Sequence, residues 1–160
     1  MKKFFLILAI ALMAIPALAQ ENTYTRGKGF FVRPDVYGGF FANAGYQFNP
    51  YVQVSAGPGL LLILSNSVNN NLSIDLAGSV HGGVRVYTGK KPWTGLIDYH
   101  LGAMWYDSDL IWRHALVGGA SYKDLDFGGG VQVMMNPNTN QVIGAGVLVT
   151  VGYNFRFYKH

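Results

Sequence analysis

The sequence predicts an all-β fold: a closed antiparallel transmembrane β-barrel of about eight strands in up-and-down order. Three observations carry that prediction. Apolar and polar residues alternate with period two through nearly all of the chain after residue 28, the pattern of strands whose two faces meet different surroundings. Two of the alternating runs, 72–87 and 143–157, far exceed the roughly five or six residues of an ordinary soluble strand, and crossing a bilayer requires long tilted strands. Charged residues make up only 12% of the chain, about half the roughly 25% of a soluble domain, too few to cover a water-facing surface.

The 160 residues make one domain behind an export signal. Lys2 and Lys3 precede an apolar run over 4–15, and Ala17-Leu18-Ala19 supplies a small-residue cleavage site. Residues 1–19 are therefore expected to be a removed signal peptide, with 20–28 a short N-terminal segment and 29–160 the barrel. The apolar run is too short for a spanning helix, which needs about twenty residues. Loss of Lys2 and Lys3 lowers the net charge from +4 to +2. Arg26, Lys28, Lys90 and Lys91 are expected as scattered solvated charges near turns, so the sequence excludes nucleic acid as a partner. The chain has no cysteine, so its stability has to come from something other than disulfides.

Residues 30–48 alternate without a slip and read as one very long strand or as a hairpin. The hairpin is preferred. Gly38-Gly39-Phe40 makes a three-residue connection that keeps the parity and supplies glycine where φ > 0 is needed. It also brings the strands to an even number, so the first and last pair antiparallel. Residues 51–64 follow the Asn49-Pro50 turn. In 72–87 the even positions, from Leu72 through Val80 to Val86, are apolar or glycine, and the odd ones carry every polar group. Residues 95–106, 111–122 and 125–135 are the next strands, set off by Gly89-Lys90-Lys91-Pro92 and Lys123-Asp124 turns. The last strand turns Ile143, Ala145, Val147, Val149, Val151, Tyr153, Phe155 and Phe157 to one side. Segments 65–71, 107–109 and 136–141 are expected as longer polar loops that alternate with the short turns, one kind on each side of a membrane. Pro34 and Pro58 fall inside strands, where each removes a ladder donor, and are expected at a bulge or at a strand's exit from the bilayer. Closure follows from solvation, because an open edge in hydrocarbon leaves N–H and C=O groups unpaired at several kcal/mol each.

A soluble ligand-binding barrel has the inverse arrangement, apolar inside and polar outside. The polar faces here decide against it. They consist of Gly, Ser, Ala, Asn and Thr with a few charges of both signs, whereas a solvated exterior is rich in Lys and Glu; the single glutamate, Glu21, precedes the first strand. Tyr46, Phe48, Tyr51, Trp93, Tyr122, Tyr153, Phe155 and Phe157 fall near one set of strand ends, and Trp105, Tyr106 and Trp112 near the other, as two interfacial girdles.

Gly45-Tyr46-Gln47-Phe48-Asn49-Pro50-Tyr51, followed by a glycine-bearing strand, resembles the turn motif of small outer-membrane β-barrel proteins common in Bacteroidetes. Val84-Arg85-Val86-Tyr87-Thr88-Gly89-Lys90-Lys91-Pro92-Trp93 is similar to another turn of that family. The resemblance covers essentially the whole mature chain. It implies residence in the bacterial outer membrane, with outer-membrane lipid as the partner, and assigns no activity. Tyr153, Phe155 and Phe157 resemble the C-terminal aromatic signal read by the barrel-assembly machinery, although the chain continues to Tyr158, Lys159 and His160.

An eight-stranded interior is just wide enough to be filled by side chains. Its inward candidates are Arg33, Asp35, Asp75, His81, Arg85, Asp98, His100, Asp126, Gln132 and Arg156. Both signs are present, which predicts a mutually neutralising network, with Arg85 opposite Asp98 in the simplest register across the Lys91-Pro92 turn. A monomer with a structural or surface-interaction role is expected. The alternatives are a narrow small-solute channel, and a lipid-modifying hydrolase or acyltransferase built on Asp75, Ser79 and His81. These three are the residue types of acyl transfer, but four residues of strand set Asp75 about 13 Å from Ser79. His81, His100, His114 and His160 lack metal-ligand spacing, and Gly128-Gly129-Gly130 lies in a strand and opens no helix. Neither a metal nor a cofactor is expected.

Overall fold

A computed structural model describes residues 26–66, 72–107 and 109–157. The predicted signal peptide 1–19 and most of the 20–28 segment lie outside the described residues. The described elements are strands β1 (Gly29–Tyr37), β2 (Gly39–Gln47), β3 (Val52–Asn66), β4 (Leu72–Tyr87), β5 (Trp93–Tyr106), β6 (Asp109–Tyr122), β7 (Leu125–Met135), β8 (Val142–Tyr153) and β9 (Phe155–Phe157). β8 and β9 are two parts of one wall strand, because Asp35↔Gly152 and Phe30↔Phe157 keep the same register along β1 on either side of Asn154. Each strand pairs antiparallel with its neighbours in sequence, and β1 closes on β8. The fold is an eight-stranded closed antiparallel barrel with up-and-down topology.

Alternation in the sequence becomes alternation across the wall. Along β1, Phe31, Arg33, Asp35 and Tyr37 are buried inside while Phe30, Val32, Pro34 and Val36 are exposed. Inward apolar side chains, among them Tyr37, Phe41, Leu61, Ala77 and Met104, pack toward the Gly38 end. Buried polar groups, among them Arg85, Gln53, Asp126 and Asn154, collect toward the short-turn end.

The first hairpin centres on Gly38, with φ 63°, one residue earlier than the expected connection, and Val36 faces Phe40 across it. Moving the centre by one residue shifts the pairing by two, so both faces keep their identity. Gly38→Ala forces a side chain into left-handed backbone and is expected to destabilise the barrel by more than about 1 kcal/mol, read as a lower urea midpoint.

Several boundaries differ from expectation. β3 extends through residues 65 and 66, β5 begins at Trp93 and β6 at Asp109. Tyr106 pairs with Asp109, which leaves a two-residue turn with Asp107 at φ 49° where a longer loop was expected. Tight turns therefore occur at both ends of the barrel. The predicted loop at 136–141 is present, with Asn136 Oδ1 accepting from the Asn138 amide at 2.9 Å. Pro34 and Pro58 mark neither a bulge nor a strand end. Both lie mid-strand on the outer face. Pairing lapses beside each, at 33–34 against 153–154 and at 57–58 against 42–43, while the register on either side is unchanged. Proline has no N–H to contribute to a ladder. The register shift falls between Met134 and Met135.

The wall is uneven at the Gly38 end. β3 pairs with β2 only as far as Leu61, and β4 with β5 only as far as Gly78, so the β3–β4 hairpin rises above both neighbours. On the other side, β8 pairs with β7 up to Val142 but with β1 only from Thr150 onward. The short β1–β2 hairpin thus sits between two taller strands whose facing edges carry no ladder among the described residues, and the wall there has a lateral notch with Gly38 at its floor.

Candidate functional site

The lumen is built around Arg85, which pairs with Asp98 in the predicted register. Its guanidinium donates to Asp98 through Nε at 2.8 Å and again through Nη2, and to Asp126 through Nη1. Asn154 Nδ2 donates to Asp126 at 2.6 Å, and the Tyr87 hydroxyl lies 3.0 Å from Gln53 Oε1 and 3.2 Å from Asp126. His100 Nε2 is 2.9 Å from Asp98. Arg85, Asp98 and Asp126 are at most 2% exposed. At such burial each charge is tolerable only because the others and the neutral donors replace its lost hydration.

Two further pairs extend the network. Arg33 Nε donates to Asp35 at 2.8 Å, two positions along the same inner face, and Thr150 Oγ1 donates to the other Asp35 oxygen at 3.1 Å. Arg156 pairs with Asp124 at 2.5 Å and donates to Gln47 Oε1 at 3.0 Å. Arg26 corrects the expectation of a solvated turn charge, for it is 1% exposed. Its Nη2 donates to Ser121 Oγ at 2.7 Å, and its guanidinium stacks 4.1 Å above the Tyr87 ring. It closes the short-turn end of the lumen. Lying before the first strand, Arg26 has no periodic neighbours, and alternation gives no signal for it.

Toward the Gly38 end the lumen becomes aromatic. Tyr37, His100, His81 and Phe41 form a chain of rings with centroids 5.0, 5.0 and 4.5 Å apart. Arg113, absent from the predicted lumen residues, lies beside them at 3% exposure. Its guanidinium sits 4.7 Å from the Tyr37 ring, with Nε donating to Gln132 Oε1 at 2.7 Å and Nη2 to the Tyr37 carbonyl at 3.1 Å. Arg113 lies between Trp112 and His114, so the outward placement expected of Trp112 already turns it inward by alternation. His114 faces outward, its Nδ1 2.8 Å from the Tyr99 hydroxyl.

Asp75, Ser79 and His81 share the inner face of β4 without forming a catalytic arrangement. Asp75 accepts from the Tyr106 hydroxyl at 2.9 Å, while Ser79 Oγ and His81 Nδ1 have no hydrogen-bond partner among the described residues. That contact also corrects Tyr106, which points into the lumen and does not belong to the outer girdle. Of the other expected girdle residues, Phe48, Tyr51, Trp93, Tyr153, Phe155 and Phe157 are exposed near the short-turn end, and Trp105 and Trp112 near the opposite end. Tyr46 packs between Phe30 and Phe48, and Tyr122 lies 4.7 Å from Trp93. Among the described residues, no group of three or more His, Cys, Asp or Glu side chains is placed to hold a metal ion. The chain matches no protein-family model, no curated protein and no solved structure, which leaves the barrel's own geometry as the basis for a functional reading.

Proposed function

We propose that the protein is an integral outer-membrane β-barrel with a structural or surface-interaction role, its lumen sealed by a polar network. The observation that carries this reading is the inverted distribution of side chains. Val147 is 87% and Val149 71% exposed, whereas Arg85 and Asp98 are 2% and 1% exposed. Leaving apolar surface in water forgoes about 25 cal/mol per Å², and a contiguous apolar patch on this scale is a contact surface; lipid chains remove that penalty. The resemblance of the 45–51 and 84–93 turns to small Bacteroidetes outer-membrane barrels supports the same setting. The short-turn end, which also holds both ends of the barrel wall, is assigned to the periplasmic side and the 136–141 loop to the exterior.

Fractionation tests the reading: the protein is expected in the outer membrane, with a gel mobility that changes on boiling. A freely soluble periplasmic species with no such change overturns it. Arg26, Tyr87 and the Arg85 network fill the lumen near the short turns, so planar bilayers are expected to show no conductance steps. Reproducible steps contradict the sealed lumen.

A further inference from the structure

We infer that the lateral notch is a binding site for a single-chain anionic amphiphile, a long-chain fatty-acid carboxylate, whose head group binds Arg113 and whose chain runs out between β3 and β8. The notch encloses about 540 Å³, within the roughly 300–1,000 Å³ typical of small-molecule sites. Leu61, Leu62 and Ile63 line one side, and Ala145, Gly146 and Val147 the other. Met104 and Met134, adaptable side chains suited to a flexible chain, form the back, and Arg113 and Gln132 the inner end.

Charge selects the occupant. Arg33, Arg85 and Arg156 each pair with an aspartate. Arg113 pairs with no carboxylate among the described residues. A cation withdrawn from water without a counter-ion is costly, and a bound anion supplies one. Two Arg113 nitrogens are engaged, Nε with Gln132 and Nη2 with Tyr37, which leaves Nη1 for a ligand oxygen. Gln132 uses its Oε1 on Arg113 and keeps its Nε2 as a neutral donor, which a Cβ at Gly146 would approach at 3.7 Å. One charged and one neutral donor suit the two oxygens of a carboxylate. A single cation fits a single negative charge, and the apolar walls converge on one chain. The unladdered edges above Gly38 open this cleft sideways, so if the membrane reading holds the chain enters at the level of the lipid head groups, where water solvates those edges.

The barrel, purified in zwitterionic detergent, is titrated with the fluorescent fatty acid cis-parinarate. Saturable binding is expected, displaced by oleate but not by oleyl alcohol or phosphatidylglycerol. Arg113→Gln is expected to weaken it about tenfold or more, the loss of a charge-assisted contact worth about 1.5–3 kcal/mol. Gly146→Phe fills the notch from β8 without touching the Arg85 network and is expected to abolish binding; the boiling-dependent mobility of each variant verifies its fold. Equal binding by all three proteins, equal displacement by the alcohol, displacement by phosphatidylglycerol, or no binding by a correctly shifting barrel overturns the site. The last result leaves the membrane reading intact, whereas a freely soluble barrel that binds as expected overturns the membrane reading and keeps the site.

Discussion

Arg85→Met is expected to lower the stability of the barrel by about 3–5 kcal/mol, the cost of leaving buried charges without their counter-ion. Arg85 bridges Asp98 and Asp126, and all three are sealed from water. Among the described residues, removing the cation leaves two carboxylates with only Asn154, Tyr87 and His100 to solvate them. Urea titration of the barrel in lipid vesicles, followed by the boiling-dependent gel shift, gives the number. Adding Asp98→Asn and Asp126→Asn to Arg85→Met is expected to recover most of the loss, since replacing a whole buried charge cluster by neutral groups is far less costly than breaking it. A loss below about 0.5 kcal/mol in the single variant, the size of an ordinary surface change, contradicts a dry, charge-compensated lumen.

Val80→Arg is expected to cost about 2–4 kcal/mol, the penalty for arginine on the lipid face near the midplane of a barrel. Val80 lies midway along the outward face of β4, between Ile74 and Val86, and is 47% exposed. On a water-facing barrel the same position is an ordinary surface site, and the change costs no more than about 0.5 kcal/mol. Asn138→Arg, in the exposed loop between β7 and β8, is expected to stay within that limit in either setting. Equal urea midpoints for the Val80 and Asn138 variants contradict a lipid-facing wall.

The strand faces were legible because alternation is a local property. In β4 every other residue is apolar or glycine, and no choice of neighbour alters which side of the pleat a residue occupies. The Arg85–Asp98 pair was legible for a related reason: a short turn fixes the register of two adjacent strands. What escaped notice depends on contacts between distant parts of the chain. Asp126 reaches Arg85 across the lumen from β7, and Arg26 reaches Ser121 from ahead of the first strand. Tyr106 is a different case: it shares the parity of the inward Asp98 and His100, so alternation alone turns it into the lumen, and only its place beside Trp105 suggested a girdle. The notch was invisible for a further reason. It arises from a difference in height between strands, and that difference follows from where β2 stops pairing with β3 and where β8 starts pairing with β1.

The absence of native cysteine permits a direct measurement of what the outer wall touches. Single cysteines placed at Val80 and Val149 on the outer wall, and at Asn138 in the loop, carry a fluorophore in barrels reconstituted into vesicles with brominated acyl chains. The account predicts strong quenching at 80 and 149, little at 138, and slow labelling of the first two by a membrane-impermeant maleimide. Unquenched labels at 80 and 149 that react as fast as the one at 138 would contradict it.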